Sequence, residues 1–233
     1  MNKPTKILIG MPVPETINNK VLIAGPVANG WKQDVRRTVY PLGERNVSLA
    51  PSVYEISGDL AFGRNKIVMD LQDLPERKDV THLFLVDDDT IPPPGTLSRL
   101  LGYKKDIIAP VYPMFHYPKA LWSVALYDEN KPIDCTSDLI EYQDLPDKLF
   151  RAHYVGGGAL LVRREVFDKI EWPPFERTPD PRCTEYLSED FTFCVKAKKA
   201  GYELWCDPII KCLHRKFGDL LQIFDSCYKQ FRS

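Results

Sequence analysis

His82-Leu83-Phe84-Leu85-Val86-Asp87-Asp88-Asp89-Thr90-Ile91-Pro92-Pro93-Pro94-Gly95 is the stretch that decides the fold. Leu83 to Val86 is a continuous apolar run, which suits a central strand covered on both faces. Asp87, Asp88 and Asp89 then fall at the strand's C-terminal end, where open α/β sheets bind ligands. Adjacent carboxylates repel one another and gain nothing from packing. Such a triplet is suited to a hard divalent cation, Mg²⁺ or Mn²⁺, and through it to a phosphate. Its plainer reading is a solvated acidic turn ahead of a proline-rich loop.

The rest of the composition narrows the class. The chain has 233 residues, 44% of them hydrophobic and 27% charged, as in an ordinary globular protein with one large core. A net charge of −1 gives no global reason to expect a nucleic-acid or membrane partner. The apolar run after Met1-Asn2-Lys3-Pro4-Thr5-Lys6 is broken by Gly10 and Pro12, and is shorter than a signal peptide requires. No apolar run approaches eighteen residues, and a cytoplasmic protein is the expectation. Cys135, Cys183, Cys194, Cys206, Cys212 and Cys227 contain no C-x-x-C pair and read as free thiols, with Cys194, Cys206 and Cys212 in apolar, core-like surroundings.

Strand and helix signals alternate along the chain. Ile7-Leu8-Ile9 reads as a first strand, and Glu15 to Ala28 as a helix interrupted at Gly25-Pro26. Residues 29–57 are irregular, with short strands at Arg37–Tyr40 and Val53–Ile56. Ser57 or Asp59 can cap a helix whose Leu60, Ile67, Val68, Leu71 and Leu74 recur at helical spacing before Pro75. After the aspartates come a helix over Leu97–Leu101, a strand over Asp106–Val111 and an extended segment over Leu121–Tyr127. An acidic stretch follows at Asp134–Asp147. The pattern predicts an α/β fold: a single domain with a mainly parallel central sheet flanked by helices, Rossmann-like.

Two further signals lie in the second half. Gly156-Gly157-Gly158, between Tyr154-Val155 and the strand Ala159–Val162, permits close approach of the backbone to another group. It matches neither a dinucleotide fingerprint nor a P-loop, and a flexible turn or bulge is the plainer reading. Ser188 is a plausible N-cap for a helix opening on Glu189-Asp190. Phe191, Cys194 and Val195 form its inner stripe, Lys196, Lys198 and Lys199 its outer face, and Gly201 its stop. Acids in a first helical turn are routine. A strand over Tyr202–Cys206 then leads through Asp207-Pro208 to His214, a candidate ligand in a chain that already offers an acid cluster.

Together these motifs resemble the GT-A-fold nucleotide-sugar glycosyltransferases of the family-2 type. Phe84–Asp89 with Pro94-Gly95 resembles the DxD strand end. Tyr154–Phe167 resembles the glycine-containing acceptor-side strand and its helix, and Glu189-Asp190 resembles the "ED" helix start. Asp207-Pro208 with His214 resembles the strand whose histidine completes the metal site. Gly63-Arg64-Asn65 resembles the "ARN" segment of small bacterial and phage members. The resemblance spans roughly residues 5–216, which implies a GT-A domain over 1–216 and an appended segment over 217–233. It departs from the family in lacking a clear acid after the second strand, and in having Thr90 where many relatives have another acid.

The resemblance implies a Mn²⁺ or Mg²⁺ cofactor held by Asp87, Asp89 and His214, and a nucleotide-diphosphate sugar donor, UDP-sugar favoured. Arg64, Asn65, Asp87, Asp88, Gly157 and Gly158 are the expected donor-side residues, with Arg64 paired to phosphate. It implies an inverting transfer with Asp190 as general base and Glu189 positioning the acceptor. The acceptor is a hydroxyl on a glycan, a protein or modified DNA, and the compartment is the host cytoplasm if the chain is phage-encoded. From Phe191 to Ser233 the chain is net positive, and Leu220–Phe231 reads as a helix that either covers an acceptor cleft or caps the sheet. Two other readings stand beside this one. Asp87-x-Asp89-x-Ile91 is one residue from the nucleophile motif of haloacid-dehalogenase-type phosphatases, with Asp87 as nucleophile. The other is a non-catalytic nucleotide-sugar or glycan binding module.

Overall fold

The computed structural model describes residues 5–12, 47–49, 53–55, 59–87, 89–116, 119–133, 138–179 and 186–215. Expectations for Glu15–Ala28, Arg37–Tyr40, Asp88 and residues 217–233 lie outside the described residues. The fold is the α/β class predicted, a central sheet flanked by helices.

The sheet's strands are β1 (Thr5–Pro12), β2 (Val47–Leu49), β3 (Val53–Glu55), β4 (Val80–Val86), β6 (Ile107–Val111), β9 (Val124–Leu126), β10 (Phe150–Val155), β11 (Ala159–Arg163) and β14 (Leu204–Lys211). They lie in the order β2-β1-β4-β11-β6-β14-β10-β9, with β3 also beside β1. Two-residue and four-residue strands make small satellite pairs: β5 (Thr90–Ile91) with β15 (Leu213–His214), β7 (Pro113–His116) with β8 (Lys119–Trp122), and β12 (Thr178–Pro179) with β13 (Tyr186–Leu187).

The sheet is more mixed than the strand–helix alternation predicts. β1 runs parallel to β2, β3 and β4, and β6 runs parallel to β14. β11 is antiparallel to both β4 and β6, and β10 is antiparallel to β14 and β9. The chain therefore passes from β10 through Gly156-Gly157-Gly158 to β11 without reversing direction. β10 escapes the sequence reading because Arg151 and His153 interrupt its apolar run. The extended segment Leu121–Tyr127 is two strands, β8 and β9, that join different sheets. They part at Ser123, whose N–H donates to Tyr112 and whose carbonyl accepts from Gly156.

Period-two alternation along β4 builds two cores. Leu83 and Leu85 face one layer with Ile67, Val68, Leu71, Leu160 and Phe193, while Phe84 and Val86 face the other with Leu97, Leu100, Ile108 and Leu161. The first layer holds α1 (Leu60–Asp73), whose N-cap Asp59 accepts from the Ala61 N–H at 2.8 Å. The second holds α2 (Thr96–Gly102). A short α3 (Arg164–Phe167) follows β11, and α4 (Glu189–Lys199) packs on β10 and stops at Gly201 with φ 87°. Cys194, Cys206 and Cys212 are free and buried, as expected, and burial pushes all three thiols up, Cys194 to about 12. Among the described residues no helix is long and apolar enough to cross a membrane.

The outer face assigned to α4 needs a correction. Lys196 is buried, donating to the Pro173 carbonyl and pairing with Glu176, both at 2.6 Å. Its long stem lets the ammonium reach these acceptors from a covered position.

His82 gives the fold an acid-sensitive point. Burial, with Arg163 nearby, lowers its imidazole from 6.5 to about 4. Between those values the unfolded chain binds a proton that the folded chain does not, so stability falls as pH falls from 6.5 toward 4. His82→Gln is expected to remove on the order of 2 kcal/mol of that acid dependence. Denaturant unfolding at pH 7 and at pH 4.5 measures it. An unchanged pH slope in the variant would refute the assignment.

Candidate active site

β4 ends at Val86, and the next residue, Asp87, donates its N–H to the Gly158 carbonyl at 2.9 Å. The antiparallel pairing of Ala159 with Val86 makes this contact, so the aspartate end and the glycine stretch lie side by side. The glycines there are required by close approach. A Cβ on Gly157 would sit 2.9 Å from the Arg64 guanidinium carbon, and one on Gly158 would sit 2.8 Å from the Tyr112 ring. The close-approach reading of these glycines holds, rather than a flexible turn.

α1 presents Arg64 on its buried face, in the stripe with Ala61, Ile67, Val68 and Leu71. Arg64 is 1% exposed. One terminal nitrogen donates to Asp87 Oδ1 at 2.6 Å, and the other donates to Glu189 Oε1. Burial works to lower the guanidinium pKa, but Asp87, Glu189 and Asp190 outweigh it and the net shift is upward. Burial raises the Asp87 carboxyl, Arg64 pulls it back, and Asp89 and Asp190 add to the rise; the net is upward.

The α4 start supplies the second acid pair. Ser188 occupies the N-cap position, but its side chain accepts no bond from the helix. Its hydroxyl donates instead to Asp190 Oδ1. The Phe191 N–H also donates to Oδ1, at 2.9 Å. On Oδ2, Asp190 accepts from the Tyr154 hydroxyl at 2.8 Å and from the Gly157 N–H at 3.0 Å. These bonds use all of the carboxylate's acceptor positions, two with fixed backbone N–H groups and two with rotatable hydroxyls. Burial, reinforced by Asp190, pushes the Tyr154 phenol well above its usual range, so it remains a donor.

His214 is brought from far along the chain by the β5–β15 pair, in which it stands opposite Thr90. The Arg215 N–H donates to the Asp89 carbonyl at 2.8 Å and ties the same junction. His214 Nε2 lies 3.4 Å from Asp89 Oδ2, while Nδ1 lies 2.7 Å from the Pro113 carbonyl. A carbonyl can only accept, so Nδ1 donates to Pro113, and Nε2 is the nitrogen that faces Asp89. The Tyr112 ring packs edge-on against the imidazole, with centroids 5.0 Å apart, and its hydroxyl accepts from the Gly158 N–H at 3.1 Å.

No protein-family model and no curated protein sequence matches this chain. Solved structures do. The crystal structure of A197 from STIV aligns with a TM-score of 0.52 at 15% identity, covering 91% of this chain and 86% of that one. At this identity the likeness shows a shared fold. GalNAc-T7 with UDP, GalNAc and Mn²⁺ aligns at 0.47 and 12% identity, covering 91% of this chain but 44% of that one. A putative glucose-1-phosphate thymidylyltransferase from Bacillus anthracis aligns at 0.44 and 12% identity, covering 89% of each chain. These last two are too distant to bear on the chemistry.

Within this fold, Arg64 bonds Asp87 and Glu189, Gly157 packs against Arg64 and bonds Asp190, and Asp89 with His214 forms a second pair beside them. Asn65 stands apart in role. Its amide nitrogen donates to the Phe175 carbonyl at 2.6 Å and its amide oxygen accepts from the Phe175 N–H at 3.0 Å. Gly157 and Gly158 likewise spend their N–H groups inside the protein, on Asp190 and Tyr112. Asp207 is buried and paired with Arg99 at 2.5 Å. Tyr154, Tyr112 and the Ser188 hydroxyl are members that the sequence reading missed. The signal for Tyr154 is its position two residues before the glycines.

Among the described residues no group of three or more His, Cys, Asp or Glu side chains forms a metal cluster. Asp89 and His214 are two such donors, and their chemistry suits a hard or borderline divalent ion. Donor atoms on adjacent corners of an octahedral ion with bonds of about 2.1 Å lie about 3 Å apart, close to the Asp89–His214 separation. The imidazole's other nitrogen on a backbone carbonyl is the usual outer support of a metal-binding histidine. Asp87 has one of its two oxygens, Oδ1, on Arg64.

Proposed function

We propose that this chain is a metal-dependent glycosyltransferase, moving a sugar from a nucleotide-diphosphate donor to an acceptor hydroxyl with inversion. The observation that carries the reading is the joining of two acid sites through one guanidinium. Asp87 at the strand end and Glu189 at the helix start share Arg64, with Asp89–His214 on one side and Asp190 on the other. Asp87, Asp89, Glu189 and Asp190 outnumber the fixed cation Arg64, and a bound divalent ion offsets that excess.

Asp89 and His214 would hold Mn²⁺ or Mg²⁺, with the donor diphosphate and water completing the coordination. When bound, the ion offsets the charge of the departing diphosphate as a Lewis acid. The acceptor oxygen attacks the anomeric carbon as the bond from that carbon to the phosphate oxygen breaks. The bonding pair leaves with the nucleoside diphosphate, and the acceptor proton passes to Asp190. An acceptor hydroxyl reaches Asp190 by replacing one of its rotatable partners, Ser188 or Tyr154, while the Gly157 and Phe191 N–H groups keep the carboxylate in place. UDP is the favoured nucleotide, and a hydroxyl on a glycan, a protein or modified DNA is the acceptor. A phosphatase nucleophile needs an open Asp87 carboxylate, and the pairing with Arg64 disfavours that role.

Calorimetry with nucleoside diphosphates tests the donor side. UDP is expected to bind at least about tenfold more tightly with Mn²⁺ than with EDTA, a difference of about 1.4 kcal/mol or more. Failure of every nucleoside diphosphate to bind in Mn²⁺, or binding indifferent to EDTA, would overturn the reading.

A further inference from the structure

Arg64 was expected from the sequence to pair with donor phosphate, and its surroundings suit a different task. It rises from an apolar helix stripe, and both terminal nitrogens are engaged, on Asp87 and on Glu189. Its Nε is buried and has no partner among the described residues. Gly157 approaches so closely that a Cβ there would meet the guanidinium at 2.9 Å, and the Phe175 ring centroid lies 5.8 Å away. Arg64 is 1% exposed, so a phosphate reaches the fork only if its cover moves, and one that displaced a carboxylate would leave that acid unpaired at high cost.

We propose that Arg64 is a positioning residue, which fixes the donor-side acid Asp87 and the acceptor-side acid Glu189 relative to each other and makes no bond to donor phosphate. The inference rests on the glycosyltransferase reading for its two "sides", but the bridge itself is a property of the fold. Asp87 and Glu189 come from the end of β4 and the start of α4, elements that share no direct ladder, and a planar fork spans both. Gly157, packed over the face of the fork, also holds Asp190 through its N–H, so the third acid is anchored on the residue that covers Arg64. A lysine keeps the charge but cannot bridge two carboxylates in a fixed plane.

Arg64→Lys, Glu189→Gln and the double variant provide the test. Mn²⁺ with UDP is the binding probe, and nucleotide-sugar turnover is the kinetic one. Arg64→Lys should bind Mn²⁺ with UDP within about threefold of wild type, because no phosphate contact is lost. Its kcat should fall about 100-fold, as expected when reacting groups are misplaced by about 1 Å. The double variant should be no slower than the slower single variant, because the two residues act as one unit. Thermal unfolding of the same four proteins reads the bridge without any activity, and the losses should be non-additive. A tenfold or greater loss of UDP affinity in Arg64→Lys, an unchanged kcat, or additive losses of stability would each overturn the proposal. If wild type turns over no nucleotide sugar, the transferase reading fails, and the stability cycle alone decides the bridge. If Arg64→Lys does not fold, Gly157→Ala replaces it. That variant keeps every charge while its methyl displaces the guanidinium, and it carries the same expectation of unchanged UDP affinity and reduced kcat.

Discussion

Asp190→Asn is expected to bind Mn²⁺ and UDP as wild type does and to transfer sugar about 10² to 10⁴-fold more slowly. The substitution keeps the side chain's shape and removes its capacity to take a proton. It also has a structural cost. Each Asp190 oxygen faces one backbone N–H, from Phe191 on Oδ1 and from Gly157 on Oδ2. The asparagine NH₂ must point at one of them, and the Ser188 or Tyr154 hydroxyl can rotate to accept from it but the backbone N–H cannot. That unmade bond lowers stability by about 1–3 kcal/mol. Rates should therefore be compared well below the variant's melting temperature, with folding checked by circular dichroism. Transfer at near the wild-type rate would reduce Asp190 to a helix-end acid that anchors Tyr154 and Gly157.

Asp89→Ala is expected to weaken Mn²⁺ binding at least about 100-fold and to abolish the metal's effect on UDP affinity, since even an outer partner of a metal ligand is worth about 10–100-fold. The carboxylate lies opposite His214 Nε2 at the junction that the β5–β15 pair and the Arg215 N–H hold in place. The backbone bonds of that junction survive the substitution, so the fold should too. His214→Ala should reproduce the metal defect. Asp87→Asn should affect it less, because Asp87 is committed to Arg64. Manganese titration followed by electron paramagnetic resonance reads these affinities directly. Equal metal binding by wild type and Asp89→Ala would remove the metal site from the account.

Much of this arrangement is legible in the sequence, and the unreadable part has a common cause. The strand Leu83–Val86 ending in acids, the α4 start and the Gly201 stop are local patterns of period two, period 3.6 and left-handed backbone, and each stands where the sequence places it; the α1 stripe holds at Ile67, Val68 and Leu71, while Leu60 is exposed and Leu74 is the C-cap. Strand direction is not a local pattern. Nothing in Ala159–Val162 indicates that it will lie antiparallel between β4 and β6. Arg64 shows the same limit at a single residue. It stands in register with Ile67, Val68 and Leu71, a position that predicts burial, yet a lone arginine is buried only with partners. Those partners are 23 and 125 residues away, beyond the reach of any window. Lys196 and Ser188 follow suit. Their burial and bonding depend on Pro173, Glu176 and the turned carboxylate of Asp190. The alignment with A197 from STIV supports the fold and leaves the chemistry to be judged from these residues.

Release of nucleoside diphosphate from a panel of nucleotide sugars, with Mn²⁺ and with excess EDTA, tests the central claim most directly. The account predicts that wild type releases nucleotide from at least one donor in Mn²⁺, that EDTA stops the release, and that Asp190→Asn still binds the donor while losing transfer to an acceptor. Turnover of no donor in Mn²⁺, or full turnover in EDTA, would contradict it.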